Sequence, residues 1–220
     1  MTFTPLMNQV VKNLEFESVC EFGNQRYKGG EDFPSTKAYY ESLGCKDYVA
    51  LDVNEEMDAV IADLNEPVWS AVKRRFDLVT NNGTGEHIWN QHEVFRNAHV
   101  LSNRYILHVL PMIPWVNHGF FNYNPVLFRD LARANNYKET IYIANRWGEK
   151  AKLPAAEMFK EKHPKQLEEA AQKLSEKGGV FVVAIFEKAY RTDPFHIPFQ
   201  GKYDADINDE GLKSKYAQRS

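Results

Sequence analysis

Two cysteines in 220 residues are too few for a disulfide framework, and Cys20 and Cys45 stand at no metal-knuckle or CxxC spacing. Cys20 lies inside an apolar run, so both are expected as free thiols of a reducing cytoplasm, and the chain is expected to be cytoplasmic. An excess of either charge is also missing. Lys and Arg number 27 against 30 Asp and Glu, a net charge of -3. That balance gives no broad attraction to nucleic acid or an anionic membrane, and neither is expected as a partner. The one short basic run, Lys73-Arg74-Arg75, reads as a solvated helix end. No apolar stretch is long enough to cross a bilayer. The opening MTFTPLMNQVVKNLEF has no basic region followed by an apolar one, so no secretory signal is expected. With no repeat, low-complexity tract or linker, residues 1–220 read as one domain.

Material for a core is plentiful: 43% of residues are apolar, with 14 Phe, 11 Tyr and 4 Trp, which argues against disorder. Met7, Val10, Val11 and Leu14 recur at helical spacing and predict a short N-terminal helix. Seven strands are predicted in SVCEF, DYVALDV, AVIADL, FDLVTN, RYILHVL, ETIYIANRW and VFVVAIFEK. Between them, Ser35 or Thr36 caps a helix that Gly44 closes, and a helix lies around Trp69 to Arg74. Residues 86–101 read as one helix, Asn124-Pro125 starts another, and a charged helix runs from about Pro164 to Lys177. The tail after Asp193 reads as irregular.

This alternation predicts an α/β fold, a Rossmann-like doubly wound sheet with helices on both faces. Ligands of such sheets sit beyond the strand carboxyl ends, near the point where strand order reverses. Glu21 with Gly23, Asp52 and Asp63 end the first three strands, followed by 81–87 and the loop 111–124. A carboxylate accepts both hydrogen bonds of a ribose diol, so Asp52 is the candidate ribose ligand. GNQRYKGG lacks GxGxxG, and no Walker pattern occurs, so a cofactor without a pyrophosphate suits the residues best.

VCEFGNQ, YVALDV, ADLN and FDLVTNNGTGEH, in that order, resemble the motifs of class I S-adenosylmethionine-dependent methyltransferases. NHGFFNYNP resembles a loop of a bacterial and phage-associated subgroup of that superfamily, and the likeness covers roughly residues 15–145. It implies six parallel strands with the last running antiparallel, and S-adenosyl-L-methionine as cofactor. It implies that Glu21 and Gly23 border the methionine portion, Asp52 the ribose, and Asp63 the adenine, with Leu64 as hydrophobic neighbour. Asn81 and Asn82 then lie beside the methyl group. The family's three-glycine loop is cut here to one, so either Asn24 takes a left-handed conformation or the loop is displaced.

Methyl transfer to an alcohol benefits from a general base. His118 and His87 are the candidates, each with a bland competitor: a hydrogen bond that staples the loop for His118, a helix-start contact for His87. Glu86 reads as a first-turn acid complementing the helix dipole. Trp115, Phe120, Phe121 and Tyr123 would wall the pocket of a small-molecule acceptor, a sugar or sugar-containing metabolite. No metal is expected, since His92 and His99 lack a third ligand, and His108 reads as a core residue. A dinucleotide oxidoreductase is the alternative, weakened by thirty-one positions from Glu21 to Asp52 where about 20 separate glycine loop and acid. A non-catalytic partner subunit of methyltransferase-like fold is the other alternative.

Overall fold

Ser18–Phe22 (β2) carries side chains that are buried on both faces from Val19 onward, as a central parallel strand requires. It pairs in parallel with Asp47–Asp52 (β4) on one side and Phe76–Asn82 (β6) on the other. Outside β4 lies the short Val60–Ile61 (β5), and outside β6 lies Ser102–Ile113 (β7), both parallel to their neighbours. Val180–Lys188 (β9) runs antiparallel between β7 and Tyr137–Asn145 (β8). The order β5-β4-β2-β6-β7-β9-β8 makes six parallel strands and a reversed last one, a Rossmann-like doubly wound α/β fold. This computed structural model describes residues 2–160, 163–189, 194–201 and 206–216.

Alternation along the strands sorts the core into two layers. Val19 and Leu78 face Pro5–Val11 (α1) and Thr36–Ser42 (α2), whose Leu6, Met7, Tyr39 and Tyr40 are fully enclosed. Cys20, Phe22 and Val79 face Gln91–Leu101 (α4), Pro125–Ala134 (α5) and Lys165–Ser175 (α7). Phe128 of α5 is fully buried against Phe95, His108 and Phe186, and truncation to Ala there costs about 3–5 kcal/mol. His108 is thus a core residue, and its burial pushes the imidazole pKa down to about 3. Both cysteines are free and buried.

Local signals account for the boundaries. The Ser35 hydroxyl accepts from the Ala38 N–H at 3.1 Å, and Gly44 takes a φ of 95° after α2. Trp69–Val72 (α3) stops at Lys73, which is left-handed. The predicted helix over 86–101 is broken in two. Gly85–His87 forms a single 3-10 turn, Ile88 is extended, and Asn90 caps α4 by accepting from the Glu93 N–H. Asn and Ile near a helix start favour that break, because Asn caps and Ile resists the first turn.

Three further departures are small. Thr2–Phe3 (β1) and Arg26–Tyr27 (β3) pair in parallel as a separate two-stranded ribbon, too short for periodicity to reveal. Ala155–Met158 (α6) precedes α7. The tail is irregular over 194–200 but forms a helix at Glu210–Tyr216 (α8); Asp193 lies outside the described residues. No helix among the described residues is long and apolar enough to cross a membrane.

Candidate functional site

Strand order reverses between β2 and β6, and the crevice above their carboxyl ends is where such sheets hold ligands. Gly23 closes β2 with φ of 75°, its N–H donating to the Leu51 carbonyl at 2.7 Å. The glycine alone takes the left-handed turn; Asn24 does not, and the loop leads away into β3.

Asp52 stands half-exposed at the end of β4. Its Oδ2 accepts from the Asn24 N–H at 2.9 Å, and its Oδ1 from the Asn54 side chain at 3.0 Å. The Asn24 side chain donates onward to Asn54 and to the Glu56 carbonyl. A carboxylate has about four acceptor sites, so Asp52 keeps capacity toward solvent, but a forked diol contact requires Asn54 to turn away. Asp63, exposed beyond β5, accepts from the Asn65 N–H at 2.9 Å and its side chain at 2.8 Å. Since β5, β4 and β2 are neighbours, Asp63, Asp52 and Gly23 follow one another along a single edge.

Other expected cofactor residues do not reach that edge. Glu21 is fully buried under it, accepting from Tyr48 at 2.6 Å, Thr36 at 3.1 Å and, more distantly, Tyr40 at 3.5 Å. Burial raises its pKa to about 7, against the lowering pull of those hydroxyls. Its side chain points to the layer holding α2, because it alternates with Phe22, which faces the other layer. Leu64 is buried in the core rather than lining the crevice. Asn81 accepts from the Gly85 N–H at 2.9 Å and lies 3.2 Å from His108 Nδ1. Asn82 donates to Gln25 at 3.2 Å and accepts at its carbonyl from the Gln25 side chain at 3.0 Å. Both asparagines brace the turns on either side of the crevice.

Across the reversal point stands a group that the sequence reading placed at a helix start. Glu86 has a side chain only 1% exposed, and neither carboxylate oxygen has a hydrogen-bond partner on another of the described residues. Burial raises its pKa to about 7, only partly offset by its own backbone N–H. His118 Nε2 lies 3.5 Å from Oε1 and His87 Nε2 lies 3.9 Å from it, with ring centroids 5.0 Å apart. Burial, then the nearby His118, lowers the His87 pKa, so that imidazole is neutral near pH 7. The two histidine side chains are 39% and 41% exposed, so the acid is reached from outside past imidazoles.

The loop that brings His118 here is fixed at several points. The Phe120 and Phe121 N–H groups donate to the Glu86 carbonyl at 2.8 and 3.3 Å. Gly119 packs so closely that a Cβ would sit 2.9 Å from that carbonyl and 3.0 Å from the Glu86 side chain. Trp115 donates to the Val180 carbonyl at 3.0 Å and packs, tilted, against Phe181 and His118. Beside this turn a cavity of about 610 Å³ opens between α4, α5 and residues 195–200, with mostly apolar walls. Phe121 and Tyr123 line it, Trp115 and Phe120 do not. Phe120 is instead 67% exposed, edge-on to Trp89. The Tyr123 hydroxyl donates to Gln91 at 2.7 Å, and Gln91 donates to the Gly85 carbonyl at 2.7 Å. The cavity's inner wall is therefore tied to the turn that carries Glu86. Tyr123 has its pKa raised by burial and then by the Glu86 charge.

His92 lines the cavity, and neither it nor His99 belongs to the cluster around Glu86. His92 is exposed beside Glu93, and His99 is buried 2.6 Å from the Tyr137 hydroxyl.

No family profile matches the chain. No curated protein matches it either. Among solved structures it is similar to the plantazolicin methyltransferase BpumL, solved in complex with a pentazolic desmethylPZN analog and SAH. That match has 11% identity, covers 82% of this chain and 80% of the other, and has a TM-score of 0.41. It is also similar to an S-adenosylmethionine-dependent methyltransferase from Mesorhizobium loti at 13% identity, covering 83% of this chain and 97% of the other, with a TM-score of 0.39.

Proposed function

We propose that this chain is an S-adenosylmethionine-dependent methyltransferase acting on a small hydroxylated molecule, a sugar or sugar-containing metabolite. The observation that carries the reading is the edge formed by Asp63, Asp52 and Gly23 at three adjacent strand ends. Two acceptor-only groups at neighbouring strand ends match the donors of adenosine, a ribose diol and an adenine amine. A first turn with one left-handed glycine suits a cofactor that brings no phosphate to be cradled. When bound, S-adenosylmethionine supplies an electrophilic methyl group on a sulfonium sulfur.

The chain's own residues do the rest. Asp52 accepts the ribose hydroxyls once Asn54 releases its Oδ1, and Asp63 accepts from the adenine amine. Across the reversal point the Glu86 carboxylate, with the His87 and His118 imidazoles beside it, accepts the proton that an acceptor hydroxyl gives up. The cavity beside this turn takes the apolar part of the acceptor, with Phe121 and Tyr123 as wall. Holding both reactants in line supplies much of the rate.

Calorimetry with S-adenosylmethionine, S-adenosylhomocysteine and NADH tests the reading. S-adenosylhomocysteine should bind and raise the melting temperature. Binding of NADH in its place would move the protein to the oxidoreductases. Binding of neither would leave a non-catalytic subunit.

A further inference from the structure

The buried carboxylate at the mouth of the crevice has a second property that proton transfer alone leaves unexplained. An acid almost wholly withdrawn from water is ordinarily compensated by hydrogen bonds, and neither Glu86 oxygen receives one from another described residue. Two imidazoles from separate elements face the same oxygen instead. We propose that Glu86, His87 and His118 bind one divalent cation of the zinc, cobalt(II) or manganese kind.

Geometry supports the set. The three candidate ligand atoms lie within 4.8 Å of one another, the Glu86 pairs at 3.5 and 3.9 Å. Ligands about 2.0–2.1 Å from a tetrahedral zinc stand about 3.3 Å apart. Closure therefore asks for sub-ångström to ångström rotation of the two exposed rings, with the carboxylate left in place. Two imidazoles and one carboxylate favour borderline cations over magnesium or calcium, which prefer oxygen ligands. The scaffold is held ready: Glu86 at its carbonyl by Phe120 and Phe121, and His118 by its tilted ring contact with Trp115. Three protein ligands leave coordination positions open, as catalytic sites do. The cation would lower the pKa of an acceptor hydroxyl bound to it. That use rests on the methyl-transfer reading; cation binding itself does not.

The test uses the untagged full chain, stripped with chelator and titrated with Zn²⁺ by calorimetry and with Co²⁺ by visible absorption. One equivalent should bind, with a tetrahedral or five-coordinate cobalt spectrum. Glu86→Gln, near in shape, and His87→Ala and His118→Ala, at exposed rings, should each weaken binding at least tenfold while keeping the wild-type circular dichroism. His92→Ala should leave it unchanged. No binding, or equal affinity in Glu86→Gln and His118→Ala, overturns the proposal. S-adenosylhomocysteine binding to the stripped protein is measured in parallel. Its loss alone removes the methyl-transfer reading, and loss of cation binding alone removes this one.

Discussion

Glu21, within β2, and Glu86, in the turn that follows β6, are both enclosed glutamates, and burial raises both to a pKa of about 7. Their surroundings differ completely. Glu21 is met by the hydroxyls of Tyr48, Thr36 and Tyr40, brought there by α2 and β4. Glu86 is met by two partly exposed imidazoles and makes no hydrogen bond to either. A displaced titration thus marks burial in both places, and the unmet bonding capacity of Glu86 is what sets the two acids apart.

The largest expected effect falls on the open member of the pair. Glu86→Gln should slow methyl transfer by about 10²-fold or more, the scale of a lost general base, with cofactor affinity retained. The corresponding Glu21→Gln should slow it little. Equal losses in single-turnover assays would erase the distinction drawn here.

Next comes the edge itself. Asp52→Ala should weaken S-adenosylhomocysteine binding about tenfold or more, since hydrogen bonds to a charged group contribute about 1.5–3 kcal/mol. Asn54→Ala, which frees Asp52 Oδ1, should strengthen it or leave it unchanged. Unaltered affinity in Asp52→Ala would remove that acid from the ribose site.

Stability against pH sharpens the comparison from the closed side. Between about pH 4.5 and 7 the unfolded chain releases the Glu21 proton while the folded chain retains it, so stability is fullest below that window and falls as pH rises through it. The rise from 4.5 to about 7 corresponds to about 3 kcal/mol. Glu21→Gln should remove about half of this fall in urea melts taken from pH 4 to 8, because Glu86 retains its proton over the same window. An unchanged slope would show that Glu21 does not retain its proton. Smallest of all, Tyr48→Phe removes one donor from Glu21 and should cost about 1 kcal/mol with no effect on catalysis.

The seven strands were legible because each is a short apolar run bounded by a helix signal, and VFVVAIFEK could hardly be anything but a buried strand. The edge acids were legible for the same reason: a strand end fixes where its last side chain stands. Glu86 was not. Its neighbours Ile88, Val94 and Phe95 continue a helical pattern across the break, so the acid looked like part of a first turn. His87 and His118 were named as candidates, yet the oxygen they share belongs to neither stretch of sequence read alone. The partners of Glu21 were equally hidden, since Thr36 and Tyr48 lie 15 and 27 positions away. Separation along the chain hides contacts that only packing creates.

One carbonyl deserves a last thought for what it forbids. Because the Glu86 main chain receives both the Phe120 and Phe121 amides, the histidine-bearing flap and the acid beneath it travel as one piece. Prising that loop upward would therefore cost both of those hydrogen bonds at once.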